Sequence, residues 1–157
     1  MSERPLTDTS FASAVPVSLP TRPARLIISE PVHGWRDAVA KQLEELVRLP
    51  AGWDGYAAEA VSLLNANFAL RLLERVCASD TIVPQIIPGS SGDLQIEWHT
   101  AHGDIEIHVR APNDVLAWRS NKQIGPDGEE LTLTNDFIAV AHWLEDLEPP
   151  GAAAAAA

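Results

Sequence analysis

Leu94-Gln95-Ile96-Glu97-Trp98-His99, then Ile105-Glu106-Ile107-His108-Val109-Arg110 beyond a turn at Ala101-His102-Gly103, is the stretch that decides the fold. Apolar and polar side chains alternate strictly in both halves. A period of two places alternate side chains on opposite faces of a strand, so one sheet face is buried and the other is wet. A glycine-containing turn between two such runs makes an antiparallel hairpin. Antiparallel sheets tolerate one solvated face, and helices must cover the apolar one.

The register of this hairpin bears on function. Polar positions are odd-numbered on the first strand and even-numbered on the second, so only pairings of odd with even keep the faces consistent. Two registers satisfy this. One opposes His99 to Glu106, Glu97 to His108 and Gln95 to Arg110, with His102-Gly103 at the tip; the other opposes Glu97 to Glu106. Opposite charges across strands contribute roughly 0.2–1 kcal/mol each and like charges cost energy. Charge and the glycine at the second turn position both favour the first, which is the register expected. It gathers Glu97, His99, Glu106 and His108 on the wet face, flanked by Gln95 and Arg110. Such a patch has three readings. It is a set of solvated cross-strand pairs, a partner-binding face anchored by Trp98 or Trp118, or a metal or acid–base site with Glu97, His99, Glu106 and His108 as ligands. No cysteine joins the patch and the chain has no helical His-x-x-x-His motif. No residue is assigned a catalytic role and no cofactor is expected.

Before this hairpin, Trp35, Val39, Leu43, Leu46 and Val47 recur at helical spacing from Gly34 to Arg48, and Pro50 and Gly52 end that helix. A second helix starts at Ser62, a good N-cap, and runs to Ser79. Leu64, Phe68, Leu72 and Val76 form its expected inner stripe, widened by Leu63, Leu70, Leu73 and Cys77. Ile82 to Ile87 reads as a short strand whose Pro84 argues for an edge position or a late start. Val115 to Arg119 is a further strand, Gly125-Pro126-Asp127-Gly128 a turn, and Glu129 to Thr132 a possible last strand. Thr134 caps a third helix over Asn135 to Leu147, with Phe137, Val140, Ala141 and Leu144 inward. The expectation is an α+β fold, an antiparallel meander of three to five strands with two N-terminal helices and one C-terminal helix packed on one face. Residues 1–31 are proline-rich and read as a disordered arm, 32–148 as a single α+β domain, and 149–157 as a disordered alanine-rich tail.

Net charge is −11, from 22 acidic and 11 basic side chains. Residues 1–31 carry three of each sign: Arg4, Arg22 and Arg25 against Glu3, Asp8 and Glu30. The excess acid therefore belongs to the folded part. It disfavours direct nucleic-acid binding and suits a basic protein partner, or serves solubility alone. Cys77 is the single cysteine, so no internal disulfide forms, in keeping with a cytoplasmic protein. No run approaches the length of a membrane helix, and Phe11 to Val17 is too short and broken for a secretory core. The edge strand beside Pro84 makes a homodimer possible.

Leu49-Pro50-Ala51-Gly52-Trp53-Asp54-Gly55-Tyr56 joins the first two helices. Trp53 plugs the gap between them while Asp54 turns the backbone, or else Trp53, Asp54 and Tyr56 form a ligand-recognition loop. Leu49–Ser62, with Gly92-Asp93-Leu94-Gln95-Ile96-Glu97-Trp98-His99, resembles a widespread set of small uncharacterised bacterial proteins with a Gly-Trp-Asp-Gly-Tyr-Gly-Ala loop before a helix and a Gln-x-Glu-Trp-His hairpin. The resemblance covers Leu49 to Val109 and departs at Ala57 and Ala60, where glycine and proline are expected. It supports the fold and implies no activity. The expected function is a non-enzymatic acidic interaction module, of antitoxin, immunity or accessory type, binding a protein partner through the exposed sheet face. The alternative is a small metal-dependent hydrolase using the Glu/His cluster.

Overall fold

Strict alternation from Leu94 to Arg110 builds the middle of a five-stranded antiparallel sheet. The computed structural model describes residues 33–147; the arm expected over 1–31 and the tail over 149–157 lie outside the described residues. The elements are α1 (Arg36–Leu46), α2 (Leu63–Val76), β1 (Gln85–Pro88), β2 (Leu94–Thr100), β3 (Gly103–Ala111), β4 (Asp114–Asn121), β5 (Gly125–Leu133) and α3 (Ile138–Leu147). Each strand pairs with its sequence neighbour, in the order β1-β2-β3-β4-β5. The fold is α+β. Leu94, Ile96 and Trp98 of β2, Ile105, Ile107 and Val109 of β3, and Val115 and Ala117 of β4 share one core with apolar residues of all three helices.

Ser62 caps α2 as its residue type suggests, its Oγ accepting from Asn65 N at 3.4 Å. The inner stripe of α2 is rotated from the expected one. Leu63 and Leu64 are exposed, and the buried residues are Asn65, Ala66, Ala69, Leu72, Leu73 and Val76. Ala66 and Ala69 sit in the core that α2 shares with the sheet. Asn65, buried in that contact, donates through Nδ2 to Gly92 O (3.0 Å) and Arg110 O (3.3 Å). An amide fixed on a buried carbonyl and a part-buried one outweighs the leucine pattern in setting the helix phase, because an unmet buried acceptor costs about 1–3 kcal/mol. At the other end, α3 starts later than expected, with Asp136 Oδ1 rather than Thr134 accepting from Ile138 N at 3.1 Å. Trp143 and Leu147 join Phe137, Val140 and Leu144 in the core.

The hairpin register is the one that charge argued against. Glu97 lies opposite Glu106, Gln95 opposite His108, His99 opposite Asp104 and Thr100 opposite Gly103. The pairings expected between His99 and Glu106, Glu97 and His108, and Gln95 and Arg110 do not form. Turn chemistry decides this. Ala101-His102 is the tip, and Thr100 Oγ1 accepts from the backbone N–H of His102 (3.1 Å) and Gly103 (3.3 Å). Gly103 is needed inside the strand, not at the tip, because a Cβ there would stand 2.4 Å from Ser120 O. The like-charge cost is met locally. Gln95 Nε2 donates to Glu97 Oε1 (2.8 Å) and to Glu106 Oε2 (3.1 Å), bridging the two carboxylates.

The chain also reverses earlier than expected between β4 and β5. Asn121 Oδ1 accepts from Gln123 N and Ile124 N, both at 2.9 Å, and makes the turn. Gly125-Pro126-Asp127-Gly128 lies within β5, beside a register shift between Arg119 and Asn121. Gly128 has φ +70°, and a Cβ there would fall 2.3 Å from Trp118 Nε1. The turn-like residues accommodate an irregular strand and the Trp118 indole.

β1 begins after Pro84 and is an edge strand. Its outer side is occupied by one side chain of α1. Ile86 N donates to Gln42 Oε1 (3.0 Å), and Gln42 Nε2 donates to Pro84 O (3.1 Å). Pro84 and Pro88 have no N–H to offer, so the backbone donor that pairing across this edge would use is already engaged.

Candidate functional site

The observed register lays polar side chains in rows across the wet face. One row runs Gln85, Glu97, Glu106, Trp118, Glu130 from β1 to β5; the next runs Ile87, Gln95, His108, Leu116, Thr132. Gln95, Glu97, Glu106 and His99 therefore stand together, as the hairpin pattern requires. His99 bridges two carboxylates, with Nε2 3.0 Å from Glu97 Oε2 and Nδ1 2.9 Å from Asp104 Oδ1. Its hydrogen bond to Glu97, then that to Asp104, raises the imidazole pKa above its ordinary value of 6.5.

His108 and Arg110 are drawn elsewhere. His108 Nε2 pairs with Asp93 Oδ2 in the turn before β2. Burial pushes the Asp93 carboxyl up, but the His108 hydrogen bond, the Ser91 N–H and the charge of His108 together hold it below the ordinary 3.8. Arg110 pairs with Asp114 at 2.5 Å, beside the β3–β4 register shift. The quartet Glu97, His99, Glu106 and His108 consequently does not close into one ligand set. Among the described residues no group of three or more histidines, cysteines or carboxylates is arranged to hold a metal ion.

Trp118 gives this face its shape. A shallow depression of about 340 Å³ is lined by Gln95, Glu106, His108, Leu116, Trp118 and Glu130. Trp118 stands between Glu106 on β3 and Glu130 on β5, directly opposite both. Its indole N–H donates to Asp127 O at 3.3 Å and the ring backs onto Gly128. Leu116 and Glu130 carried no signal in the sequence. Val115-Leu116-Ala117-Trp118 is apolar throughout, so alternation alone hides which two residues face out.

The Gly52–Tyr56 loop is built by its own backbone. Asp54 Oδ1 accepts from Tyr56 N (2.9 Å) and Ala58 N (3.2 Å), Trp53 Nε1 donates to Glu59 O (3.2 Å), and Gly52 and Gly55 have φ of +76° and +82°. The segment after it rests on the turn before β2, with Glu59 N donating to Ser90 O (2.9 Å) and Ser62 N to Gly92 O (3.0 Å). Asp54 and Trp53 are thus committed to local geometry, while Tyr56 is 89% exposed. Cys77 is buried at the C-terminal end of α2. Among the described residues no helix is long and apolar enough to cross a membrane.

No family model matches the chain, and neither a curated protein nor a solved structure does.

Proposed function

We propose that the chain is a non-enzymatic, cytoplasmic interaction module that binds a basic protein partner through its wet sheet face. One observation carries this reading. All three helices share the core on the apolar side of the sheet, while the opposite side presents Glu97, Glu106 and Glu130 around an aromatic anchor in a single row. Aromatic anchors ringed by charge are characteristic of protein interfaces, and an acidic surface steers basic partners and repels nucleic acid. An antitoxin, immunity or accessory role fits a module of this kind, as does kinship with the small bacterial proteins that share the Gly-Trp-Asp-Gly-Tyr motif. No observation favours the hydrolase alternative, since the Glu/His quartet is divided between separate ion pairs.

The test is the introduction of positive charge at the edge of the row. Gln85→Lys/Glu97→Lys should release a host protein that co-purifies stoichiometrically with the wild-type chain, with folding checked by circular dichroism. A Lys41→Glu substitution, on exposed α1 surface, should leave it bound. Retention of the partner by the double variant would refute the sheet face as the docking surface.

A further inference from the structure

Arg119, the residue after Trp118, points to the helix side of the sheet and shows how this chain holds a guanidinium. Its Cζ lies 4.8 Å from the centroid of the Trp143 ring. Its guanidinium nitrogens reach Glu129 Oε2 at 3.0 Å and Asp146 Oδ2 at 3.1 Å. One indole face and two carboxylates complete the site, which uses both cation–π attraction and charge-assisted hydrogen bonds.

The same components recur on the wet face one residue away, without the cation. Trp118 supplies the indole, and Glu106 and Glu130 supply carboxylates from the strands on either side. With Gln95, His108 and Leu116 they line the depression of about 340 Å³, a volume that admits one side chain. Neither Glu106 nor Glu130 has a lysine or arginine partner among the described residues. The indole is held before any partner arrives, by its N–H bond to Asp127 O and by contact with Gly128. Such pre-organisation lowers the entropic cost of binding.

We infer that the Trp118 recess receives an arginine side chain presented by the protein partner. The inference rests on the docking face proposed above and names the group that face recognises. A guanidinium suits the recess better than an ammonium: its flat, weakly hydrated plane stacks on an indole while its edges reach carboxylates on two sides. A neutral side chain of the same shape would bring no counter-charge to Glu130 or to Glu106, whose Gln95 partner is itself neutral.

The experiment uses the full-length chain labelled with nitrogen-15 and titrated with acetyl-Gly-Arg-Gly-amide. The expected result is a saturable shift of the Trp118 indole N–H and of the Glu106 and Glu130 amides. The matching citrulline peptide, equal in shape but uncharged, should move none of them. Glu130→Gln should weaken arginine binding about two- to fivefold, the size of one exposed ion pair, and Trp118→Leu combined with Glu106→Gln should remove it. An equal response to citrulline, or a response indifferent to these substitutions, would overturn the inference. So would Trp118 shifts that follow chain concentration without peptide, which would place a second copy in the recess. The two readings fail separately. A host protein released by Gln85→Lys/Glu97→Lys but held by Trp118→Leu/Glu130→Gln leaves the docking face and overturns the arginine recess. Arginine peptide seated at Trp118, with the host protein unaffected by Gln85→Lys/Glu97→Lys, does the reverse.

Discussion

Trp118 and Arg119 are sequence neighbours, yet they belong to two regions of opposite character. On the helix side, an indole and two carboxylates enclose an arginine of the same chain and join α3 to the sheet through Asp146 and Trp143. On the wet side, an indole and two carboxylates stand open around a depression. The residue types match and the roles differ, because strand alternation turns one set toward a helix and the other toward solvent. The filled site is part of what holds the structure together. The open site has no lysine or arginine paired with its carboxylates among the described residues.

Substitutions at the two sites should differ in their effects. The largest effect is expected from Gly128→Ala, which forces a Cβ into the Trp118 ring at a positive φ and should cost about 1–3 kcal/mol in urea unfolding. It should also abolish arginine-peptide binding. A neutral outcome would mean that Trp118 is not held by Gly128. Arg119→Met removes a charge-assisted contact between sheet and α3 and should cost about 1–2 kcal/mol; a loss below that range would make the filled site as dispensable as the open one. Glu130→Gln should stay within about 0.5 kcal/mol of the wild type, since this exposed carboxylate makes no ion pair with a described residue. A clear loss of stability there would show the open site to be structural after all.

The smallest effects follow pH. His99 has a raised pKa in the folded state, so its contribution is complete below 6.5 and is lost as pH rises through the folded value. Asp93 has a lowered one, so its contribution is present above 3.8 and is lost as pH falls through the folded value. Proton NMR titration of His99 should give a midpoint above 6.5 in the wild type and a lower one in Glu97→Gln. An unmoved midpoint would remove Glu97 as the cause.

The sheet, its wet face and the edge position of β1 were legible in the sequence because period-two alternation and proline act locally. The register was not. It turned on the Thr100 hydroxyl and on the closeness of Ser120 to Gly103, a contact with a strand the hairpin had not yet met. The phase of α2 was hidden for a similar reason, since Asn65 takes its partners from Gly92 and Arg110, far along the chain. Of the site, Glu97, Glu106 and His99 followed from alternation. The pairing of His108 with Asp93 and the exposure of Leu116 and Trp118 required the fold, because an unbroken apolar run does not show which residues face out.

Gln42 has a consequence for how this chain is made. Its amide stands in for a sixth strand along the outer side of β1, and it precedes Pro84 by 42 residues. Synthesis proceeds from the N-terminus, and unpaired strand edges on unfinished chains are where neighbouring polypeptides adhere to one another. Here the side chain that seals the edge leaves the ribosome before the edge itself. The opposite margin, β5, emerges after every other strand and carries Pro126, Asp127, Glu129 and Glu130, residue types that repel such pairing. The sheet is thus guarded at its first strand by a helix made earlier, and at its last by the composition of the strand.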